Sequence, residues 1–348
     1  MSDDPRLDRL FAQRLAGAPA RSPEEVVGHL LGVQAQDERG FRLAVRSRTE
    51  GVTAADVDRA LSQRRSLVVT WLQRGTLHLV RPDDYWWLHP LTAPRVTTGN
   101  DRRLAQLGVD RRQVERGVDT ITEALAVEGP LTRHQLRDRL DRAGVPTVGQ
   151  ALIHLVATAS LRGLVVRVGG EQAYVLVAEW LGPPPPPADR PEALTRLARR
   201  YLIGHGPASD RDLATWAGVT LGDARAGLRS LADEVVEGPS GWVLASTPPA
   251  TGAFPPPRLL GAFDPLLHGW GSREPFVGGH AGVVTTNGIF RPVALVDGRV
   301  VATWTIPGGT VTIQPFQRLT RPVRAALAED AVGVLAYLGL PPRRTVVL

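Results

Sequence analysis

The chain has 348 residues, of which 43% are hydrophobic and 22% charged, so it is long enough for two or more domains with buried cores. It has no Cys, which excludes disulfides and thiolate metal sites, and no apolar run reaches the roughly 18 residues that a membrane helix needs. The net charge is +6, and all 41 basic residues are Arg, a bias that a GC-rich genome also produces. The charge therefore permits a nucleic-acid partner without establishing one. The N-terminus has no signal-peptide pattern, so we expect a cytoplasmic protein that does not bind a membrane.

The first hundred residues combine helices with one hairpin. Ser22-Pro23-Glu24-Glu25 is a strong helix start, with Ser as the N-cap and the second Glu completing a capping box. Leu67–Leu72 and Thr76–Val80 read as two strands joined by a turn. The other helices are predicted within residues 1–20, from Arg39, from Thr53 and over Asp83–Leu91. Because helices followed by a short hairpin are typical of a winged helix, residues 1–110 are predicted to form the first winged-helix domain.

Residues 111–182 repeat this order more clearly, and residues 190–250 repeat it again. In the second segment Thr132 and Gln135 predict a capping box, and two β-rich runs flank Gly169-Gly170. The turns that begin at Gly129 and Gly206 share the form Gly-Pro-x-Thr/Ser and lie 77 residues apart. This internal repeat predicts a second and a third winged-helix domain.

Residues 258–348 change to a β-rich pattern. Ile289–Val296 and Arg299–Thr305 flank Asp297-Gly298, which is a type I′ hairpin signal. Further strands are predicted at Thr310–Pro315 and Arg344–Leu348, with a helix at Arg321–Leu338 between them. We expect a small barrel or half-barrel. The predicted fold class is α+β, with three tandem winged-helix domains followed by a C-terminal β-barrel-like domain.

The most informative short segment is Gly32–Asp37, which carries Gln34, Gln36 and Asp37. A glutamine amide cannot act as a general base, so this is not ordinary acid–base machinery. Such amides can instead hold a water molecule or a polarised substrate through hydrogen bonds. Residues two apart in a helix point about 200° away from each other, so one site can use both glutamines only if this backbone is irregular or extended. Asp37 is either a helix cap, an Arg partner or the nearest candidate carboxylate.

Four segments together resemble a known family. Gly32–Asp37, Thr70–Val80, Gly261–Asp264 and Arg291–Arg299 are similar, in the same order and over nearly the whole chain, to the bacterial winged-helix DNA glycosylases of the AlkZ/YcaQ kind. The family signature is glutamine–apolar–glutamine in the AlkZ branch and glutamine–apolar–aspartate in the YcaQ branch. Gln34-Ala35-Gln36 matches the AlkZ branch.

The resemblance implies an activity and its requirements. Family members excise N-alkylated purines, mostly N7-alkylguanines; some unhook interstrand crosslinks, and some protect antibiotic producers from their own alkylating product. It implies that Gln34 and Gln36 are catalytic, with Asp37 as a weaker candidate, and that no cofactor or metal is needed. The implied partner is double-stranded DNA with alkylated purines, and we expect a monomer.

The resemblance and the local charge also suggest residues that contact DNA. Arg39 and Arg42 follow the motif, although a solvated basic helix face is an equal alternative, as it is for Arg46 and Arg48. Asp264 could instead be a structural cap, and Arg291 a salt-bridge partner. The full set of predicted DNA contacts is Arg39, Arg42, Arg74, Thr76, His78, Asp264, His268 and Arg291.

Two other functions remain open at the level of the sequence. A non-catalytic DNA-binding protein, either a regulator or an adduct shield, would bind DNA without releasing a base. A protein-interaction scaffold would show little salt-dependent affinity for DNA. Winged helices serve all of these uses, so the fold alone does not decide among them.

Overall fold

The computed structural model describes residues 4–169, 172–341 and 343–348. The chain divides into two compact units. The first unit is discontinuous and comprises the chain up to Val57, Leu194–Trp216 and Thr220–Leu348, whereas the second comprises Asp58–Ala193 and Ala217–Val219. These boundaries differ from those of the four predicted domains, and the four-domain organisation stays a prediction.

The first unit begins with helices that surround the glutamine motif. Ser22 caps the second helix by accepting a hydrogen bond from the Glu25 amide at 3.1 Å, and Leu31 ends it in a left-handed conformation. The Glu25 carboxylate accepts from the amide of Arg21 and not from that of Ser22, so only half of the predicted capping box forms. The elements are α1 (Pro5–Ala12), α2 (Pro23–Leu30), the short strand β1 (Val33–Gln34), α3 (Glu38–Arg46) and α4 (Ala54–Ser62), whose residues after Val57 belong to the second unit.

The second unit contains the next nine elements. They are β2 (Val68–Leu72), β3 (Thr76–Val80), α5 (Pro82–Gln106), α6 (Arg111–Glu128), α7 (Arg133–Arg142), α8 (Ala151–Leu161), β4 (Val165–Arg167), β5 (Tyr174–Leu176) and α9 (Val177–Trp180). Both predicted hairpins form, and Val69 pairs with Arg167 so that the strands β3-β2-β4-β5 join in one antiparallel sheet. The Thr132–Gln135 capping box is confirmed. The predicted turn at Gly169-Gly170 lies partly outside the described residues.

Helix α5 is the largest departure from the pattern in this unit. The predicted helix Asp83–Leu91 extends to Gln106 and contains Pro90 and Pro94. Proline normally ends or kinks a helix because it lacks an amide hydrogen. Here α5 packs against α8 and buries a series of apolar side chains, and this packing outweighs the local signal.

The chain then returns to the first unit with a third set of helices and a hairpin. They are α10 (Arg190–His205), which enters the first unit at Leu194, α11 (Asp210–Ala217), which leaves it after Trp216, α12 (Leu221–Arg229), β6 (Val235–Gly238) and β7 (Gly241–Leu244). The order matches the predicted repeat, with Val236 opposite Val243 in the hairpin. The count of three winged-helix domains nevertheless stays a prediction.

The C-terminal segment forms an open sheet and not a barrel. Its elements are β8 (Arg258–Leu260), α13 (Glu274–Val277), β9 (Val293–Val296), β10 (Arg299–Thr305), β11 (Thr312–Pro315), α14 (Arg321–Tyr337) and β12 (Val346–Val347). The strand order is β12-β11-β10-β9-β8, with no closing pair between the two edges in the described part of the chain. Trp304 and Ile313 of the sheet pack with Leu327 and Leu335 of α14, so a helix covers the apolar face that a barrel would enclose. The prediction of a closed barrel is therefore wrong, whereas the half-barrel alternative stays a prediction and the α+β class is confirmed.

Among the described residues, no helix is both long enough and apolar enough to cross a bilayer.

Candidate active site

The two motif glutamines meet on an extended segment between α2 and α3. Val33 and Gln34 form strand β1, which confirms the expectation of an extended backbone. Side chains two residues apart in an extended chain point to the same side. Accordingly, Gln34 Nε2 donates a hydrogen bond to Gln36 Oε1 at 2.5 Å. Gln34 is only 6% exposed, whereas Gln36 is exposed, so the pair connects the protein interior to its surface.

Asp37 fixes the start of α3. Its Oδ1 accepts a hydrogen bond from the Gly40 amide at 2.5 Å, and its backbone has the extended conformation of an N-cap. The cap alternative for Asp37 is thus confirmed. The carboxylate therefore orients the helix that follows the glutamines, and its catalytic role stays a prediction.

The first turn of α3 packs against the loop that contains Gly261 and Ala262. An ideal Cβ on Gly40 would lie 2.3 Å from the Ala262 carbonyl oxygen, and one on Gly261 would lie 2.8 Å from the Gly40 carbonyl oxygen. Two backbones therefore approach each other at a distance that only glycine allows. This contact connects the motif, through α3, to the C-terminal sheet of the same unit.

We expect Gly40→Ala to lower the free energy of unfolding by about 1–3 kcal/mol, because its new methyl group overlaps a backbone oxygen that cannot rotate away. Urea denaturation followed by circular dichroism measures the change. Gly99→Ala is the matched control: Gly99 also lies inside a helix, but its Cβ would meet nothing within 4 Å. That variant should be more stable by about 0.5–1 kcal/mol. Equal stability of the two variants would contradict the close approach.

A buried ion pair lies just beyond the C-terminal end of α3. The Arg48 and Asp264 side chains are both 0% exposed and are joined by two hydrogen bonds of 2.8 and 2.9 Å. Arg48 also donates to the Gln13 backbone oxygen at 2.8 Å, and Asp264 accepts from the Leu266 amide at 3.0 Å. The predicted DNA contact of Asp264 is wrong because the carboxylate is buried, and the cap alternative is confirmed. Arg48 likewise cannot be a phosphate contact.

The other arginines near the motif differ in how accessible their guanidinium groups are to a DNA phosphate. Arg39 is exposed. Arg42 is half-buried, bonded to Glu38 at 2.9 Å and placed over the Phe41 ring at 4.5 Å. Arg46 forms a two-point bridge to Asp330, which is a structural role. Arg39 therefore remains the better proposal for a phosphate contact.

In the second unit, the predicted contacts lie on and beside the β2–β3 turn. Arg74 is exposed and has a left-handed φ of 58°, whereas the Thr76 hydroxyl donates to the Gln73 carbonyl at 3.2 Å. His78 is only 3% exposed, and its Nδ1 lies 2.9 Å from the Thr76 carbonyl oxygen. The prediction that His78 contacts DNA is wrong in this structure because the side chain is buried. Arg74 and Thr76 stay proposals.

An aromatic cluster in the first unit was missed by the sequence reasoning. His268 Nε2 donates to the Phe263 carbonyl at 2.8 Å, and its ring meets the Phe290 ring edge-on at 5.6 Å. Predicted residue His268 therefore belongs to this cluster, and predicted residue Arg291 is exposed and follows Phe290 directly in the sequence. The signal available was the position of Phe263 inside the segment Gly261–Asp264.

One histidine near the motif is uncharged. Burial lowers the pKa of His29, on α2, to about 4, and its Nε2 lies 2.7 Å from the Ala12 carbonyl oxygen. His29 is therefore neutral at pH 7 and is not a phosphate-binding cation. Within the described residues, no group of three or more His, Asp or Glu side chains is placed to hold a metal ion.

Comparisons with known proteins identify the family of this chain. A sequence profile of the family described as DNA glycosylase AlkZ-like matches residues 27–337. An interstrand DNA cross-link repair glycosylase of Streptomyces sahachiroi is 30% identical, over 93% of each chain. The solved structure of Streptomyces sahachiroi DNA glycosylase AlkZ superposes with a TM-score of 0.78 at 26% identity, covering all of both chains. The chain therefore belongs to the AlkZ-like family and is a DNA glycosylase, a hydrolase of N-glycosyl bonds.

Proposed function

We propose that this glycosylase releases cationic N-alkylated purines, of the N7-alkylguanine type, from double-stranded DNA. The observation that carries the proposal is the Gln34–Gln36 amide pair, in which Gln34 is buried and Gln36 is exposed, followed by an Asp37 carboxylate that is engaged in capping α3. Alkylation at N7 makes the purine a cation and hence a good leaving group. Such a substrate needs little acid assistance, so positioned amides suffice.

The hydrogen bond between the two amides assigns their remaining atoms. Gln34 Nε2 donates to Gln36 Oε1, so the Gln34 amide oxygen and the Gln36 amide nitrogen take no part in that bond. In our proposal Gln34 Oε1 accepts a hydrogen bond from the attacking water, and Gln36 Nε2 donates to a sugar oxygen. The water oxygen bonds to C1′ as the C1′–N9 bond breaks. The bonding electrons neutralise the purine, and the water proton passes to solvent.

Two contacts hold the backbone that follows this pair. Asp37 caps α3 immediately after Gln36, and the Gly40–Ala262 contact holds the first turn of the helix. Preorganised dipoles of this kind contribute about 3–4 kcal/mol each to transition-state stabilisation in well-studied sites. The enzyme should therefore discriminate by leaving-group quality and ignore neutral bases.

Crosslinks are the second part of the proposal. The printed name of the Streptomyces sahachiroi relative describes interstrand cross-link repair. We extend that activity to this chain because an N7-linked crosslink carries the same cationic purine. Bulky adducts of this type belong to the same proposed substrate class, whether in general repair or in producer self-resistance.

The expected result is release of 7-methylguanine from a duplex that carries it at one position, leaving an abasic site that breaks in alkali. The same duplex with unmodified guanine should remain intact, because a neutral purine is a poor leaving group. Saturable duplex binding without any alkali-sensitive site would contradict the proposal and would favour the non-catalytic DNA-binding alternative.

A further inference from the structure

Phe263 has a backbone conformation that a bulky residue rarely adopts. Its φ is 56°, in the left-handed region, where the side chain of an L-residue crowds the backbone. Strain of this kind persists only where the surroundings fix it, and it concentrates at ligand-contacting positions. The positive φ of Phe263 must therefore be held by contacts with the surrounding residues.

Three contacts hold the Phe263 backbone from both sides. The preceding residue, Ala262, is packed against Gly40 at the start of α3. The following residue, Asp264, is tied to Arg48 in the buried ion pair. The Phe263 carbonyl accepts a hydrogen bond from His268 Nε2 at 2.8 Å. The strained residue is thus built into the same support that positions the segment after the glutamine motif.

The Phe263 side chain is not used to fill the core. It is half-buried, and its ring lies 5.7 Å from the Phe290 ring at an interplanar angle of 45°. Phe290 is in turn surrounded by His268, edge-on at 5.6 Å, and by the Arg273 guanidinium, 5.0 Å from the ring centre. Phe290 is therefore held by several neighbours, and Phe263 packs against it.

The surroundings of this pair are cationic. Arg273, which lies over Phe290, is exposed, and so are the two sequence neighbours of Phe290, Arg291 and Ile289, the latter to 51%. Aromatic rings accompanied by Arg side chains are the combination that proteins use for bases that are not stacked in a duplex. The face of an aromatic ring also attracts a cation, so a positively charged planar heterocycle is favoured over a neutral one.

We infer that Phe263, supported by Phe290, is a stacking surface for the unstacked alkylated purine, with Arg273 and Arg291 beside the adjoining phosphates. This inference rests on the proposed function and adds the residue that recognises the damaged base. Phe263 is a specificity residue that binds the purine, whereas the glutamines act at the sugar. The left-handed backbone at Phe263 places its ring in this position.

The test compares Phe263→Leu, Phe263→Tyr and the control Phe316→Leu. Leucine keeps apolar volume but removes the π face, and tyrosine restores it. Phe316 is another half-buried ring of the same unit, stacked on His280 at 4.3 Å and outside the Phe263 cluster. Single-turnover release of 7-methylguanine is measured at increasing protein concentration. Phe263→Leu should raise the half-saturating concentration about tenfold with little change in the maximum rate, because stacking contributes about 1–3 kcal/mol per base.

A second readout separates this inference from the proposed function. A duplex with an unpaired 2-aminopurine reports stacking through quenching of its fluorescence and needs no chemistry. The wild-type protein, Phe263→Tyr and Phe316→Leu should quench this probe, and Phe263→Leu should not. If the wild type quenches but releases no base, the proposed function fails and the stacking surface stands. Equal quenching by Phe263→Leu and wild type, or none by the wild type, overturns the inference.

A third variant covers the case in which Phe263→Leu does not fold. Phe263→Gly accommodates the left-handed φ without strain and should melt within a few degrees of the wild type. It should nevertheless lose quenching as Phe263→Leu does. Retained quenching in this variant overturns the inference.

Discussion

Replacing both Gln34 and Gln36 with alanine is expected to lower the single-turnover rate of 7-methylguanine release by about 10³-fold or more. Removal of one preorganised hydrogen-bonding group from an active site costs about 10²–10³ in rate, and this variant removes two. The measurement is the rate at saturating protein on a duplex with a single lesion. Duplex affinity should change little, because the amides act at the sugar and not along the phosphates.

The two single variants and a control show whether the loss of activity comes from this pair of amides. Gln34→Ala and Gln36→Ala should each lose most of the activity, with effects that do not add, because each amide orients the other through the 2.5 Å hydrogen bond. Gln314→Ala is the control, since Gln314 is an exposed glutamine on β11 of the same unit. Full activity in the double variant would disprove the assignment of the catalytic pair.

Asp264→Ala is expected to lower the free energy of unfolding by about 3–5 kcal/mol, because it leaves the Arg48 guanidinium buried without its counter-charge. The double variant Arg48→Met/Asp264→Leu should recover much of that loss, since two apolar side chains of similar volume need no ionic partner. Urea denaturation gives the three values on one scale.

A surface pair provides the comparison. Glu25→Gln breaks the bridge to Arg14, whose side chain is 27% exposed against 42% for Glu25, and should cost less than about 1 kcal/mol. If Asp264→Ala unfolds at the same urea concentration as Glu25→Gln, the buried pair does not hold the loop that carries Phe263.

Local patterns predicted most of the elements but not their partners. The helix start at Ser22, the strands Val68–Leu72 and Thr76–Val80 and the extended motif follow from capping, periodicity and spacing. The sheet at the C-terminus did not close because α14 covers its apolar face, and the strand pattern is the same for an open sheet as for a barrel. Helix α5 continued past Pro90 because packing on α8 outweighed the proline signal.

In the candidate site, too, local patterns identified residues but not their distant partners. The motif identified Gln34 and Gln36, and the structure brings their amides together. Charge near the motif suggested phosphate contacts, yet Arg48 pairs with Asp264, which is 216 residues away in sequence. No local pattern contains a partner at that distance. The conformation of Phe263 was equally hidden, because a positive φ at phenylalanine follows from contacts on both sides and not from its own preference.

The discontinuity of the first unit has a consequence for how the protein is made. A ribosome produces the glutamine motif in about the first tenth of the chain, but Asp264 emerges only after about three quarters of it, and α14 only near the end of translation. The nascent N-terminal segment must therefore wait, without its final packing partners, until nearly the whole polypeptide has been synthesised. Prematurely terminated products would carry the motif in an unsupported form, so they would lack activity and be open to proteases.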